Sequence, residues 1–492
     1  MNLVGIDTLA KAPLGDGDLL LGGHWVPAAD GRTYPVYDPA TGDLLREVSA
    51  AGPDDARAAT EAAVAVAADW RATPPRRRSE ILHDAFALMR EHTDLLARII
   101  VQENGKALRD AAAEVGYAAE FFRWFAEEAV RIGSSFADAP GGGFRHVVRR
   151  HPVGVTAFVT PWNFPAAMAA RKIAPALAAG CPVLLKPAPE TPLTALAVAA
   201  LLSAAGLPDG LVNVLPTDRA PEVVSAWLGD ERVRKFSFTG STATGKLLLE
   251  QAAANVVNVT MELGGNAPFI VCADADVDAA VRGAMDAKMR GGGEVCIAAN
   301  RFYVHADVAA EFTEKFGAAM AAVRTGPGLE DGVTLGPMIN AAAVDKIRSL
   351  VDDAVARGAR IAVRGTVPAG PGHFYPATVL TDVPDEARIL HEEVFGPVAP
   401  LTTFTDEDDV LTRANATVHG LASYVYSRDV ARALRLAERL EVGMVGLNRG
   451  LLSDPAAPFG GVKQSGLGRE GGREGIEAFL ETQYVALDWP TG

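Results

Sequence analysis

The sequence predicts an α/β protein built on a doubly wound parallel sheet, followed by a second α/β unit. Three observations carry this. Between about residues 153 and 261, short apolar runs of strand length alternate with segments whose apolar residues recur at helical spacing. Strands separated by helices of that length pair in parallel through crossovers. The same alternation resumes from 268 to 447, and a chain of 492 residues is too long for one ordinary core.

Along the chain, residues 17–50 hold strand-like pieces cut by Gly, Pro and Asp. Apolar spacing predicts helices over 54–70, 76–98 and 111–131. The stretch 133–143, rich in Gly, Ala, Ser and Pro, reads as a break. Strands are expected at 153–160, 183–186, 212–215, 235–238 and 256–261. Helices at 166–179, 191–205, 222–228 and 242–254 join them, the first closed by Gly180, the second by Gly206 and Pro208. The second series has strands at 268–271, 302–304, 361–363, 377–380, 398–404, 422–425 and 444–447. Its helices are expected at 277–289, 308–323, 343–357 and 430–440. Residues 484–487 read as an edge strand or an arm.

Composition excludes several classes. Hydrophobic residues make up 49% and charged residues 22%, the proportions of a globular rather than a disordered chain. The net charge is -15, and the basic run Arg76-Arg77-Arg78 is too short to track a phosphate backbone, so no nucleic-acid partner is expected. Three cysteines without metal-ligand spacing exclude a disulfide framework and argue against a metal site. No basic-then-apolar leader and no membrane-length apolar run are visible, so a cytoplasmic protein without a membrane partner is expected.

Cys296 has the most chemistry around it. It ends Arg290-Gly291-Gly292-Gly293-Glu294-Val295-Cys296, downstream of Glu262 in Met261-Glu262-Leu263-Gly264-Gly265. A thiol among glycines is accessible and has backbone donors nearby, and a carboxylate brought beside it can act as a base. A free cysteine is more often a small buried hydrophobe, and Cys181 and Cys272, each in an apolar run, fit that description. Spacing alone leaves both roles open for Cys296.

Four more segments align with these two. They are Thr160-Pro161-Trp162-Asn163-Phe164-Pro165, Leu184-Leu185-Lys186-Pro187, Phe238-Thr239-Gly240-Ser241-Thr242-Ala243-Thr244-Gly245 and Glu392-Glu393-Val394-Phe395-Gly396-Pro397. The six together, in this order from about Asp38 to Tyr484, resemble the aldehyde dehydrogenase superfamily. The resemblance implies an aldehyde dehydrogenase-like α/β fold. Its Rossmann-type NAD(P)-binding domain would span 1–130 and 150–262, its catalytic domain 263–465, and a small oligomerisation arm 131–149 and 466–492.

It also implies roles. Cys296 adds to an aldehyde, Asn163 and the Cys296 N–H hold the oxyanion, hydride leaves to the nicotinamide, and Glu262 activates the water that hydrolyses the thioester. Retention of Glu262 argues against the branch that passes the acyl group to coenzyme A. Cofactor contacts are expected from Trp162, Lys186, Pro189, Gly240, Ser241, Gly245, Glu393 and Phe395. The residues themselves are compatible with this. Gly240 to Gly245 places a glycine turn at a helix N-terminus, which attracts a pyrophosphate, and Lys186 ends a strand at the edge where nucleotides bind. Each has a plain alternative: a strand-to-helix turn, a solvated lysine, a solvated carboxylate for Glu393, a core aromatic for Phe395, and a turn-forming Asn163.

Arg171, Arg290 and Ser453 match the carboxylate-binding set of succinate-semialdehyde dehydrogenases, and two guanidinium groups suit a short aldehyde with a terminal carboxylate. The alternative for both arginines is structural ion pairing. Many relatives have Gln at the position of Glu294 and Asn at that of Gly292, and a carboxylate at 294 is expected to raise the thiol pKa. Ala298 stands where some relatives carry a second cysteine, so no disulfide switch is expected. Pro189 stands where NAD-preferring relatives carry an acid, with Glu190 next, which leaves NAD or NADP open. A homodimer or homotetramer is expected. Two other readings stay open: the same chemistry on another aliphatic or aromatic aldehyde, and a non-catalytic binding protein of this fold.

Overall fold

The computed structural model describes Leu9 and residues 11–489. The outermost parts of the first domain and of the arm, 1–8, 10 and 490–492, lie outside the described residues.

The first sheet has a core of five parallel strands. Their order is Val212–Val214, Val183–Lys186, Val155–Val159, Val233–Thr239 and Asn258–Glu262. The chain builds outward from Val155–Val159 on one side, then returns to start on its other side. This reversal is the switch point where doubly wound sheets bind ligands. Register puts the strand ends level: Lys186 pairs with Val159, Val159 with Phe238, and Thr239 with Glu262. The residues that follow these ends therefore emerge at one edge. Antiparallel strands extend the sheet, Leu19–Leu21 and His24–Val26 on one side and Gly466–Leu467 on the other.

Helices cover both faces, which is why the central strands are buried at every residue rather than at alternate ones. Pro53–Ala72 and Ala220–Leu228 pack on one face. Pro165–Ala179 and Pro192–Ala204 pack on the other, backed by Pro75–Glu91 and Leu108–Ala129. Every residue of Pro165–Ala179 is buried, and its many alanines allow that close approach.

The second sheet orders Arg360–Arg364, Thr378–Thr381, Val398–Phe404, Ala299–His305, Ala267–Val271, Ala422–Tyr426 and Met444–Leu447. All neighbours are parallel except the edge strand Arg360–Arg364. A third, antiparallel sheet joins Ser135–Asp138, Arg145–Pro152 and Leu480–Leu487.

The structure corrects several expectations. The helix expected at 76–98 is two, Pro75–Glu91 and Thr93–Asn104, parted at His92 with φ -99° and ψ 22°. Apolar spacing continues through His92 and conceals the bend. The break at 133–143 contains the strand Ser135–Asp138, which is exposed along its length and carries no alternation; its pairing with Arg145–Pro152 makes it a strand. A helix forms at Glu407–Asn415, started by the Asp406 carboxylate accepting from the Asp409 N–H at 2.8 Å. The strand Arg145–Pro152 begins ahead of the strand expected at 153–160, and Gly466–Leu467 pairs with Met261 and Glu262 in the first sheet. The strand expected at 484–487 begins at Leu480 and pairs with Arg145–Pro152.

Candidate active site

Cys296 and Glu262 meet because two glycines let other segments cross the end of the strand Asn258–Glu262. A Cβ on Gly265 would lie 2.3 Å from the Cys296 carbonyl oxygen, and one on Gly264 would lie 2.9 Å from a Glu393 carboxylate oxygen. Glu393 Oε1 also accepts from the Gly265 N–H at 3.2 Å. Three motifs distant in sequence are thus stacked on Gly264-Gly265.

The loop before the thiol needs its glycines for a different reason. Gly291, Gly292 and Gly293 have φ of 54°, 69° and 79°, successive left-handed conformations that a side chain would strain. A Cβ on Gly293 would also lie 2.4 Å from the Gly396 carbonyl oxygen. The Asp110 carboxylate accepts from the Gly291 N–H at 2.9 Å and ties the loop to the helix Leu108–Ala129.

Asn163 is held on both sides. Its Nδ2 donates to the Glu294 carbonyl at 2.8 Å, which leaves its second amide hydrogen for a ligand. Lys106 donates to the Asn163 carbonyl at 2.5 Å and to Glu114 at 2.6 Å. Glu114 in turn accepts from the N–H groups of Ala166 and Ala167 at the start of the next helix.

These groups face a cavity of about 300 Å³. It is lined by Cys296, Glu262 and Asn163, by Arg171, Arg290 and Ser453, and by Trp162, Gly240, Ser241, Glu393 and Phe395. Lys186, Pro189 and Gly245 do not line it; they lie elsewhere along the same sheet edge. Cys296 is half-buried, whereas Cys181 and Cys272 are buried in cores.

Burial dominates the electrostatics. It pushes the Cys296 thiol up to about 12, with Glu262 and Glu393 adding to the rise and Arg171 opposing it. Glu294 is not among these influences. Its side chain points away, with Oε1 accepting from the Ile339 N–H at 3.3 Å, so the expected effect of a carboxylate at 294 on the thiol is not realised. Glu262 is 2% exposed, and neither of its carboxylate oxygens has a hydrogen-bond partner. Burial first and Glu470 second hold its pKa well above the ordinary range. A buried carboxylate with open lone pairs facing a cavity is suited to bind and deprotonate a water.

Beside Glu262 lies a buried charge cluster. Arg171 Nε is 2.6 Å from Glu470 Oε2, and Lys172 pairs with the other Glu470 oxygen and donates to Ser237 at 2.7 Å. Burial pushes Glu470 up, but Lys172 and Arg171 outweigh it and hold the carboxyl below its usual range. Arg171 is therefore both a cavity residue and a structural ion-pair partner, with its guanidinium 4.3 Å from the Phe459 ring.

The cofactor side shows orphaned donors and close-fitting glycines. Ser241 caps the helix Thr242–Ala253 by accepting from the Thr244 N–H at 3.2 Å. A Cβ on Gly245 would lie 2.4 Å from Leu263. Thr239 Oγ1 is buried, unpartnered and on the cavity wall. Lys186 is buried, donates to the Pro187 carbonyl at 2.5 Å and is lowered by burial to about 8, with the nearby Glu190 opposing the drop. Phe395 stands edge-on to Trp162 with ring centroids 5.5 Å apart, in a left-handed conformation with φ 53°. A bulky residue at positive φ is strained, and such strain collects at ligand sites.

Sequence reading missed Glu470, Lys172, Lys106, Glu114, Asp110 and Tyr117. Lys172 directly follows Arg171, and Glu470 stands in the glycine-rich run from Gly466 to Gly472, where a lone carboxylate calls for a partner. Tyr117 lies within a helix and gave no local signal.

A thiol, a buried carboxylate and an amide donor at the carboxyl edge of a doubly wound sheet are the arrangement of a nucleotide-dependent enzyme with a covalent step. Comparison with known proteins agrees. The aldehyde dehydrogenase family matches residues 25–485, and the chain belongs to that family. A succinate-semialdehyde dehydrogenase of Paenarthrobacter nicotinovorans is 52% identical over 91% of this chain and 99% of its own. A 3-sulfolactaldehyde dehydrogenase of Pseudomonas putida is 50% identical over 94% of this chain and 96% of its own. The crystal structure of an NADP-dependent enzyme of Escherichia coli superposes with a TM-score of 0.94 at 47% identity, covering 96% of this chain and 98% of its own.

Proposed function

We propose that the chain oxidises succinate semialdehyde to succinate, with NAD or NADP as oxidant, through a thioester on Cys296. The observation that carries this reading is the convergence of Arg171, Arg290 and Ser453 on the cavity that holds the thiol. Arg290 Nη1 donates to Ser453 Oγ at 3.3 Å, so the two present one face to a ligand.

The residues divide the chemistry. Cys296 gives up its thiol proton to solvent and attacks the aldehyde carbon as the thiolate. The free amide hydrogen of Asn163 and the Cys296 N–H stabilise the resulting oxyanion, each such donor contributing about 3–4 kcal/mol where measured. A bound nicotinamide supplies the hydride acceptor for the oxidation. Glu262 then takes a proton from water, and the hydroxide attacks the thioester carbon, the carbon–sulfur bond breaks, and Cys296 leaves as thiolate.

The cofactor edge fits a dinucleotide. Ser241 and the N–H groups of Thr242–Ala253 suit a pyrophosphate, while Lys186, Glu393 and Thr239 offer polar atoms to ribose hydroxyls. Residues 1–130 and 150–262 are proposed as the cofactor-binding domain, 263–465 as the catalytic domain, and the three-stranded sheet as the arm of a cytoplasmic homodimer or homotetramer. No helix among the described residues is long and apolar enough to cross a membrane.

A panel of succinate semialdehyde, 3-sulfolactaldehyde and butanal, followed by absorbance of the reduced cofactor, tests the substrate. Succinate semialdehyde is expected to lead. Arg290→Ala should lower the ratio of kcat/KM for succinate semialdehyde over butanal by about ten- to a hundred-fold. That corresponds to the ~1.5–3 kcal/mol of a hydrogen bond to a charged group. Ser453→Ala should shift the ratio less, in the same direction. Arg171→Ala should harm both aldehydes, because it strips Glu470 of a partner beside Glu262. An unchanged ratio in Arg290→Ala sinks the carboxylate reading.

For the cofactor, Pro189 places no carboxylate where a 2′-phosphate would meet it, so NADP should support a substantial fraction of the NAD rate. Pro189→Glu should move the preference towards NAD. Absence of detectable NADP turnover in the unmodified enzyme would refute this.

A further inference from the structure

Tyr117 stands where the reacting cavity meets a second one of about 630 Å³. The two share Tyr117, Arg290 and Ser453, and the second continues past them towards Arg109, Asp286 and Arg449. The ring is fixed in place, edge-on to Phe121 with centroids 4.9 Å apart and with the Arg290 guanidinium 5.7 Å from its centre.

The Tyr117 hydroxyl is buried and makes no aligned hydrogen bond. Buried hydroxyls are normally partnered, and the polar groups around this one are Arg171, Arg290 and Ser453. Arg171 and Arg290 carry donors and no acceptor. Ser453 already accepts from Arg290. Burial keeps the phenol above its ordinary pKa despite the two arginines, so at neutral pH it is a neutral donor. The cluster holds more donors than acceptors, and an incoming anion is what satisfies it.

We infer that Tyr117 is a specificity-determining residue that donates to the distal carboxylate of the substrate and closes the cavity behind it. This rests on the proposed oxidation of an aldehyde with a terminal carboxylate. No covalent step is involved; the hydroxyl acts on binding and on substrate length.

Tyr117→Phe removes only the hydroxyl and keeps both ring contacts. The ratio of kcat/KM for succinate semialdehyde over butanal should fall about tenfold, the lower end for a hydrogen bond to a charged group, and the fall should lie in KM. Tyr117→Ala also removes the wall, and should raise the relative rate of adipate semialdehyde over succinate semialdehyde. Should the Ala variant fail to fold, the Phe variant decides. An unchanged ratio in Tyr117→Phe, or equal losses for both aldehydes, overturns the role of Tyr117 alone, provided the unmodified enzyme prefers succinate semialdehyde. An unmodified enzyme without that preference overturns the substrate reading, and this inference with it.

Discussion

Cys296→Ala is expected to abolish aldehyde oxidation and leave cofactor binding intact. The thiol is the one cysteine on the wall shared by Glu262 and Asn163 among the described residues, and the other two cysteines are enclosed in cores. Loss of a covalent nucleophile costs on the order of a million-fold in kcat where a triad enzyme has been measured, and a comparable collapse is expected here. The fold should survive, because a half-buried thiol at a loop contributes little packing compared with the sheet it crosses. Nucleotide affinity, measured by titration, should stay within a fewfold, since the helix Thr242–Ala253 and Lys186 lie on other elements. Residual turnover near the unmodified rate would remove Cys296 from the mechanism. Iodoacetamide gives a second readout: inactivation should track alkylation of Cys296, and should speed up as pH rises, because burial keeps the resting thiol protonated at neutral pH.

Glu262→Gln separates the two halves of the reaction. Acylation precedes the step that needs the base, so the variant should release about one equivalent of reduced cofactor per site and then turn over slowly. A general base contributes about a hundred- to ten-thousand-fold, which sets the expected drop in the slow phase. The pH profile adds a signature. The Glu262 pKa is raised by burial and by Glu470, so steady-state turnover in the unmodified enzyme should climb with pH above the ordinary carboxylate range until that carboxylate is fully ionised. In the Gln variant this component of the climb should vanish from deacylation. Full-rate turnover in Glu262→Gln, or a slow phase that keeps the original pH dependence, would assign the base elsewhere. Glu470 is then the group to test, since it faces Arg171, Lys172 and Ser237 and raises the Glu262 pKa.

Much of this site could be read from the chain, for identifiable reasons. Helix and strand periods in 153–261 reflect local burial on one or both faces, and the observed elements follow them closely, from Val183–Lys186 to Thr242–Ala253. Glycines in Gly291-Gly292-Gly293 and Gly264-Gly265 are steric permissions written into the backbone, so they mark positions where another segment must pass close. Cys296, Glu262 and Asn163 carry chemistry in their side chains, and so did the pair of arginines. The sequence by itself therefore indicated the alternating α/β pattern and, through the resemblance, the candidate nucleophile, base, oxyanion amide and carboxylate-binding arginines.

The tertiary structure decided what meets what. His92 bends a helix without any residue that announces it, because apolar spacing is the same on both sides. Glu294 turns towards Ile339 rather than the thiol, a choice made by the loop's left-handed glycines and not by residue type. Arg171 is shared between the cavity and Glu470, which reaches it only because Gly466–Leu467 pairs beside Glu262 and brings the following residues under the sheet. Tyr117 comes to the cavity wall from a distant helix. These partnerships depend on sheet register and on how helices lie across its faces. Local periodicity and propensity carry no information about contacts between segments hundreds of residues apart, whereas the desolvation that shifts Glu262 and Cys296 arises entirely from such contacts.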